Sequence, residues 1–169
     1  MLDSKSYRFL PALLLGGLLL FQGCSEAPNI EGLTHQPAPD FSVELFGGGN
    51  FHLSAQKGKV VMINFFASWC VSCGEEIHHI EKAFQSYAPE EVAFLGVAVD
   101  DTEKKAKAFL KKGGLTIPAG LDRTGEIKEM FGLYGMPTTF FIDKDGMVSY
   151  FHAGVVTADL IKHEIDKLL

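Results

Sequence analysis

The chain of 169 residues contains only three cysteines, too few for a domain held together by many disulfides. Cys24 stands alone, whereas Cys70 and Cys73 are separated by two residues. A disulfide across so short a loop removes little conformational entropy from the unfolded chain, so it would be a poor structural staple. The length is enough for one domain with its own hydrophobic core. The closely spaced pair therefore points to chemistry rather than to stabilisation.

The sequence also lacks the second cysteine pair that a typical structural zinc site requires. Such sites use four ligands, usually two pairs or one pair plus two histidines at a set spacing. His78 and His79 are adjacent, and we expect them to point to different sides of a helix. They would then be unable to join Cys70 and Cys73 at one metal ion, and we predict no metal site.

A basic patch interleaved with aromatic residues is missing, and the formal net charge is −6. Nucleic acid is therefore excluded as an expected partner. The sequence also shows no internal repeat and no low-complexity tract. We predict a single domain that works as a monomer.

An apolar run covers residues 9–21 and follows Lys5 and Arg8. It is short for a membrane-spanning helix and has the length of the apolar part of a secretory signal. It ends in FQGC, which resembles the end of a bacterial lipoprotein signal, cut before Cys24 so that this thiol carries lipid. An uncleaved N-terminal anchor is the alternative. We predict a signal over residues 1–23 and a linker over residues 24–37. The protein is then expected to be exported and anchored to a membrane, facing the oxidising periplasm or another extracytoplasmic space.

The remaining residues, 38–169, predict an α/β domain. Alternating apolar residues around Gly47-Gly48-Gly49-Asn50 indicate an N-terminal β-hairpin. Continuous apolar runs indicate buried strands, and three- or four-residue spacing indicates helices. The further predicted strands are 60–66, 92–99, 138–142 and 147–153, and the predicted helices are 74–87, 102–112, 124–131 and 158–169. This order implies a mixed central sheet covered on both faces.

The segment WCVSC lies where a buried strand ends and a helix begins. A helix N-terminus has unpaired N–H groups and a partial positive charge, which stabilise a thiolate. Cys70 comes first and is expected to be the exposed nucleophile. Cys73, about one turn further on, is expected to be the shielded thiol that resolves a mixed disulfide.

The sequence resembles the thioredoxin superfamily through FFASWCVSC after a buried strand and GMPTTFFIDKDG far downstream. Three further features resemble the TlpA/ResA group of membrane-anchored thiol–disulfide oxidoreductases. They are the leading APDFSVELF, the phrase KGKVVMINFFASWC, and a glutamate three residues after the second cysteine. The resemblance covers about residues 38–169 and implies a thioredoxin-like fold with no cofactor beyond the Cys70–Cys73 disulfide.

The resemblance also implies roles for other residues. Pro137 matches a cis-proline beside the disulfide, Met136 before it would touch the substrate, and Trp69 would cover the site. Glu76 matches the acid that handles protons in the TlpA/ResA group, although it could equally be a solvated glutamate of a first helical turn. Asn64 stands where cytosolic thioredoxins carry a buried aspartate.

The resemblance implies thiol–disulfide exchange on exported proteins. Members of this group mostly reduce their partners' disulfides, including those of apocytochrome c during cytochrome c maturation. A membrane thiol donor would then recharge the dithiol. Two departures from the family pattern leave the direction of electron transfer open. Gly74 stands where the family often has a basic residue, and the loss of that positive charge disfavours a thiolate. The hydroxyl of Ser72, by contrast, could stabilise a thiolate.

Three other classes remain as alternatives. A peroxiredoxin-like peroxidase would need a reactive cysteine in a Pro/Thr-rich loop, which FFASWC does not provide. A copper-handling protein of the Sco type would use both cysteines and a distant histidine, for which His152 is the candidate, but its cysteines are spaced differently. A pure binding module would need neither thiol.

Overall fold

The computed structural model describes residues 30–169. The predicted signal and Cys24 lie outside this range. Seven strands and four helices follow one another between residues 30 and 169. The strands are β1 (Ser42–Glu44), β2 (Asn50–His52), β3 (Val60–Phe66), β4 (Val92–Ala98), β5 (Ala119–Leu121), β6 (Thr138–Ile142) and β7 (Val148–Ala153). The helices are α1 (Val71–Phe84), α2 (Glu103–Gly113), α3 (Glu126–Met130) and α4 (Ala158–Asp166).

The central sheet has five strands in the order β5-β4-β3-β6-β7. β3, β4 and β5 are parallel, whereas β6 runs antiparallel to β3 and β7 antiparallel to β6. The β1–β2 hairpin forms a separate two-stranded sheet. The predicted mixed sheet and the N-terminal hairpin are both confirmed.

The central strand β3 is buried on both faces, which explains its continuous apolar sequence. Alternate side chains enter two cores. Val60, Met62 and Phe66 pack on the face covered by α1, α2 and α4. Val61, Ile63 and Phe65 pack on the face covered by α3 and the hairpin. Asn64 lies on the same side of β3 as Val60, Met62 and Phe66, so its side chain faces α1.

Two predicted elements differ from the observed ones. β5 was not predicted, because Ala119-Gly120-Leu121 is too short to show a pattern and Pro118 precedes it. It is nevertheless held by parallel pairing with β4. α1 begins at Val71 rather than at Gly74, because Cys70 caps it through sulfur and the apolar spacing becomes visible only from Ile77.

The second half of the predicted linker contacts the domain. Ile30 starts a short 3₁₀ helix, Ile30–Leu33, and is 1% exposed. The backbone N–H of His35 donates to the carbonyl of Val148, and that of Ala38 donates to Gly146. Residues 30–37 therefore belong to the folded unit. Between Ile30 and Leu169, no helix is both long and apolar enough to cross a membrane.

Candidate active site

The Cys70–Cys73 pair lies at the N-terminus of α1 and is joined as a disulfide, with 5.3 Å between the two Cα atoms. The strand β3 ends at Phe66, and a four-residue connection leads from it to the helix. Cys70 is the N-cap residue, so its extended backbone stops the preceding segment and starts α1. The cysteines therefore stand at one edge of the sheet, on the first turn of the helix.

Cys70 is the more exposed of the two cysteines. Cys70 is 7% exposed and Cys73 is 1% exposed. The Cys73 backbone N–H donates to Cys70 Sγ at 3.1 Å, and Ser72 Oγ lies 3.5 Å from the same sulfur. Both groups can stabilise negative charge on Cys70 once the disulfide is reduced. This arrangement suits Cys70 as nucleophile and Cys73 as the shielded partner.

Trp69 lies beside the disulfide but does not cover the core, because 61% of it is exposed. Its indole N–H donates to the backbone carbonyl of Asp100 at 3.0 Å. Next to it, the backbone N–H and the hydroxyl of Ser68 donate to the Asp101 carboxylate. The loop after β4 therefore fixes the segment that enters α1. Sequence reasoning missed this loop, since it lies about thirty residues away along the chain.

Glu76 is buried beneath the site and is only 1% exposed, which excludes a solvated first-turn glutamate. It follows Cys73 by three residues on α1, so the two side chains are neighbours on the helix surface. The Asn64 amide donates to Glu76 Oε1 at 2.8 Å, and the Val156 backbone N–H donates to Oε2 at 3.0 Å. Asn64 also donates to Thr139 Oγ1 at 3.0 Å, which extends the network to β6.

Burial raises the pKa of the Glu76 carboxyl from 4.5 to about 7. The hydrogen bonds from Val156 and Asn64 favour the charged form and lower the pKa, but desolvation outweighs them. Glu76 can therefore accept and release a proton close to neutral pH. A buried carboxyl with this pKa, one turn from a reactive thiol, is suited to acid–base work.

Pro137 lies at the same sheet edge as the disulfide, because Thr138 after it pairs with Phe65 near the end of β3. The Met136–Pro137 peptide bond is cis, as the resemblance implies. The Pro137 carbonyl accepts a hydrogen bond from Gly154. Met136 is half-buried and packs against the cores on both faces of the sheet. Its contact with a substrate stays a prediction.

The sequence raised three histidines as candidate metal ligands, namely His78, His79 and His152. Within residues 30–169, no group of three or more His, Cys, Asp or Glu side chains is placed to hold a metal ion. His152 lies on β7 opposite Thr139. The expectation that His78 and His79 point apart is wrong. Their ring centroids are 3.8 Å apart, so the two imidazole rings contact each other.

A shallow groove runs beside Cys70, between the start of α1 and the later part of α2. One wall of the groove is formed by Trp69, Cys70, Val71 and Gly74, and the other wall by Phe109 and Lys112. Its volume is about 340 Å³. Phe109 stacks on Phe66 of β3, with 5.7 Å between ring centroids, which fixes α2 against the site. The amphipathic pattern of α2 gave the only sequence signal for this wall.

Comparison with known proteins agrees with this geometry. The model of the AhpC/TSA family matches residues 34–151. The thiol-disulfide oxidoreductase ResA of Bacillus cereus is 31% identical over 166 residues, which cover 96% of this chain and 95% of that relative. The thioredoxin-like protein YneN of Bacillus subtilis is 33% identical and covers 78% of each chain. A thioredoxin-family thiol:disulfide interchange protein from Chlorobium tepidum superposes with a TM-score of 0.71 and 30% identity, over 78% of this chain and 94% of that chain.

The fold and the cysteine pair define a thioredoxin-like thiol–disulfide oxidoreductase. The chain belongs to the AhpC/TSA family, with ResA among its relatives.

Proposed function

We propose that the protein reduces disulfides of exported proteins and that Cys70 is its nucleophile. The observation that carries this proposal is the buried Glu76, one turn from Cys73, with a pKa raised to about 7. It supplies a proton acceptor and donor at the place where thiols are formed and consumed. The protein would need no cofactor besides its own cysteine pair.

The reaction transfers two electrons. The Cys70 thiolate attacks a sulfur of the partner's disulfide, forms an intermolecular disulfide and releases one partner thiolate, which takes a proton. Glu76 takes the proton of the Cys73 thiol. The resulting Cys73 thiolate attacks the Cys70 sulfur and releases the second partner thiolate, which takes a proton. The Cys70–Cys73 disulfide remains, and a membrane thiol donor reduces it for the next cycle.

The reducing direction is favoured by the charges around the pair. A thiolate at Cys73 would lie one helical turn from Glu76, whose ionised form repels it, and Gly74 offers no cation. The Ser72 hydroxyl, 3.5 Å from Cys70 Sγ, and the Cys73 backbone N–H, 3.1 Å from it, act in the opposite sense, but at Cys70 rather than at Cys73. A destabilised thiolate makes the disulfide form relatively more stable, so the dithiol is a better reductant.

Substrate contact is assigned to Trp69, Met136 and Pro137. Within the described residues, the backbone N–H and C=O of Met136 form no hydrogen bond and can pair with an extended segment of a partner. We include the cysteines of apocytochrome c among the substrates, on the strength of the resemblance to the TlpA/ResA group. Export and a lipid anchor at Cys24 rest on the sequence of residues 1–24.

A trapping experiment in the native host tests this function. The Cys73→Ser variant cannot resolve the mixed disulfide, so exported partners should stay joined to Cys70 and separate on reduction. The Cys70→Ser variant is the matched control and should trap none. A Cys73→Ser variant without any captured partner contradicts the proposal. Equilibration of the purified protein with glutathione tests the direction, since a reductant should have a more negative potential than the glutathione couple.

The anchor has its own test. If Cys24 carries lipid, the wild type should sediment with membranes and the Cys24→Ala variant should change its fraction or its processing. An unchanged membrane fraction with an uncleaved N-terminus would instead indicate an anchor formed by residues 1–23.

A further inference from the structure

The groove beside Cys70 has a basic wall. Helix α2 carries five lysines, all of them exposed: Lys104, Lys105, Lys107, Lys111 and Lys112. Lys105, Phe109 and Lys112 follow the i, i+4, i+7 spacing and therefore share one face of α2. Because Phe109 and Lys112 line the groove, Lys105 continues this face towards the N-terminus of α2. That end adjoins Trp69 through the bond from its indole to Asp100.

Two acidic side chains at this end of α2 have cationic partners, whereas the Asp101 carboxylate accepts hydrogen bonds from Ser68 and from the Thr102 backbone N–H. Asp100 pairs with Lys128, and Glu103 pairs with both Lys107 and Arg123. Lys105 and Lys112, by contrast, form no ion pair with any residue from Ile30 to Leu169. A protein of net charge −6 thus keeps one unpaired cation, Lys112, in the groove that contains its reactive cysteine, and a second, Lys105, further along the same face of α2.

The opposite wall limits where an occupant can lie. Glu75 is exposed next to Gly74 on α1 and would repel an acidic segment that crossed α1. The α2 side offers an aromatic surface at Phe109 between two cations. Opposite charge favours an acidic chain segment that follows α2 and presents its cysteine to Cys70.

We propose that the groove binds the partner's polypeptide and that Lys105 and Lys112 select partners with acidic side chains near the reacting cysteine. This inference rests on the proposed exchange with protein partners. Seven residues of α2 span about 10 Å along the helix axis, which equals about three residues of an extended chain. Two carboxylates about three positions apart, beside the cysteine, would therefore match the two lysines.

Exchange kinetics with two synthetic peptides test the proposal. Each peptide is closed by an internal disulfide and lacks tryptophan; one has glutamates and the other lysines near the cysteines. The reduced protein reduces the peptide and becomes oxidised, and Trp69, the only tryptophan in the chain, reports the reaction by fluorescence. We expect the acidic peptide to react about tenfold faster at low ionic strength, with the difference shrinking as salt is added.

The Lys105→Glu/Lys112→Glu variant should reverse this preference. The matched control is Lys104→Glu/Lys111→Glu, which makes the same charge change at the same spacing on another face, where Lys111 lies beside Phe46 rather than Cys70. The control should still prefer the acidic peptide. Equal rates for both peptides with the wild type, or an equal reversal in the control, overturn the proposal and leave exchange by Cys70 intact. Failure of the wild type to reduce either peptide would contradict the proposed function itself.

Discussion

At the scale of single residues, Glu76 combines two opposing requirements. Each of its oxygens accepts one hydrogen bond, so the ionised form has partners, yet its burial among apolar side chains disfavours charge. The result is a pKa of about 7, where both protonation states are populated. A surface glutamate would be ionised throughout this range and could not return a proton to a thiolate.

Replacing Glu76 by glutamine should slow oxidation of the reduced protein by a disulfide substrate. Loss of a positioned general base commonly reduces a rate by about a hundredfold or more. Because the base is the deprotonated form, the ratio of wild-type to Glu76→Gln rates should rise as the pH increases through about 7. Stopped-flow fluorescence of Trp69 measures both rates.

Glu75→Gln is the matched control for this experiment, since it makes the same chemical change on the exposed neighbour. It should leave the pH dependence of the rate as in the wild type. A ratio that does not vary with pH for Glu76→Gln would remove the acid–base role from Glu76.

The same carboxyl should make stability depend on pH. Its pKa is about 7 in the folded protein and 4.5 when unperturbed, so the folded state holds a proton that the unfolded state releases between these values. The stabilising contribution is complete below pH 4.5 and is lost as the pH rises through about 7. The free energy of unfolding should therefore fall by about 3 kcal/mol relative to Glu76→Gln across this window.

Urea unfolding of the oxidised protein measures this difference, because cysteines in a disulfide do not titrate. A difference between wild type and Glu76→Gln that stays constant from acid to neutral pH would mean that Glu76 titrates as an exposed carboxyl does.

The reactive pair could be identified from the sequence, but the environment of its neighbours could not. The CxxC spacing and the strand–helix junction are local, so Cys70 and Cys73 follow from nearby residues. The burial of Glu76 depends on Asn64, 12 residues before it, and on Val156, 80 residues after it. The exposure of Trp69 likewise depends on the loop at Asp100. Only the folded chain brings these groups together.

At the scale of elements, two glycines in neighbouring helices should respond differently to alanine. Gly74 is in α1, and a Cβ there would meet only the Phe109 side chain, at 4.0 Å. Gly74→Ala should therefore raise the free energy of unfolding, by about 0.5–1 kcal/mol from helix propensity. Urea unfolding at fixed pH measures the change.

Gly113 at the end of α2 provides the contrast. A Cβ at this position would lie 2.4 Å from the Ile77 side chain, so either this side chain or α2 itself would have to shift. Gly113→Ala should lower the free energy of unfolding, by about 1–3 kcal/mol. If both variants changed stability in the same direction, the close approach of Gly113 to Ile77 would not be what limits the packing of α2 on α1.

Element boundaries show where local pattern stops being sufficient. The predicted helix 102–112 closely matches α2, because Thr102 caps its start and Gly114 ends it with a positive φ of 73°. The predicted start of α1 at Gly74 is later than the observed start at Val71, because the N-cap is a cysteine rather than a residue with a side-chain oxygen. β5 has three residues and depends on pairing with β4, so no local signal could reveal it.

At the scale of the whole molecule, the folded unit begins before the predicted boundary at residue 38. Ile30 is buried against the core that contains β1, β2 and α3. Ile30→Ala should lower the free energy of unfolding by about 2–4 kcal/mol, because it leaves a cavity in that core. Leu33→Ala, in the same 3₁₀ helix but only partly buried, is the control and should cost less. Equal costs would place Ile30 outside the core.

The parts of the site are also spread along the polypeptide. Val156, which binds Glu76, follows it by 80 residues. A chain that stopped before Val156 would keep Cys70 and Cys73 but would lack the backbone N–H that holds one Glu76 oxygen. The dithiol is thus encoded by the first half of the domain, and its proton route is completed only when the C-terminal segment folds onto α1.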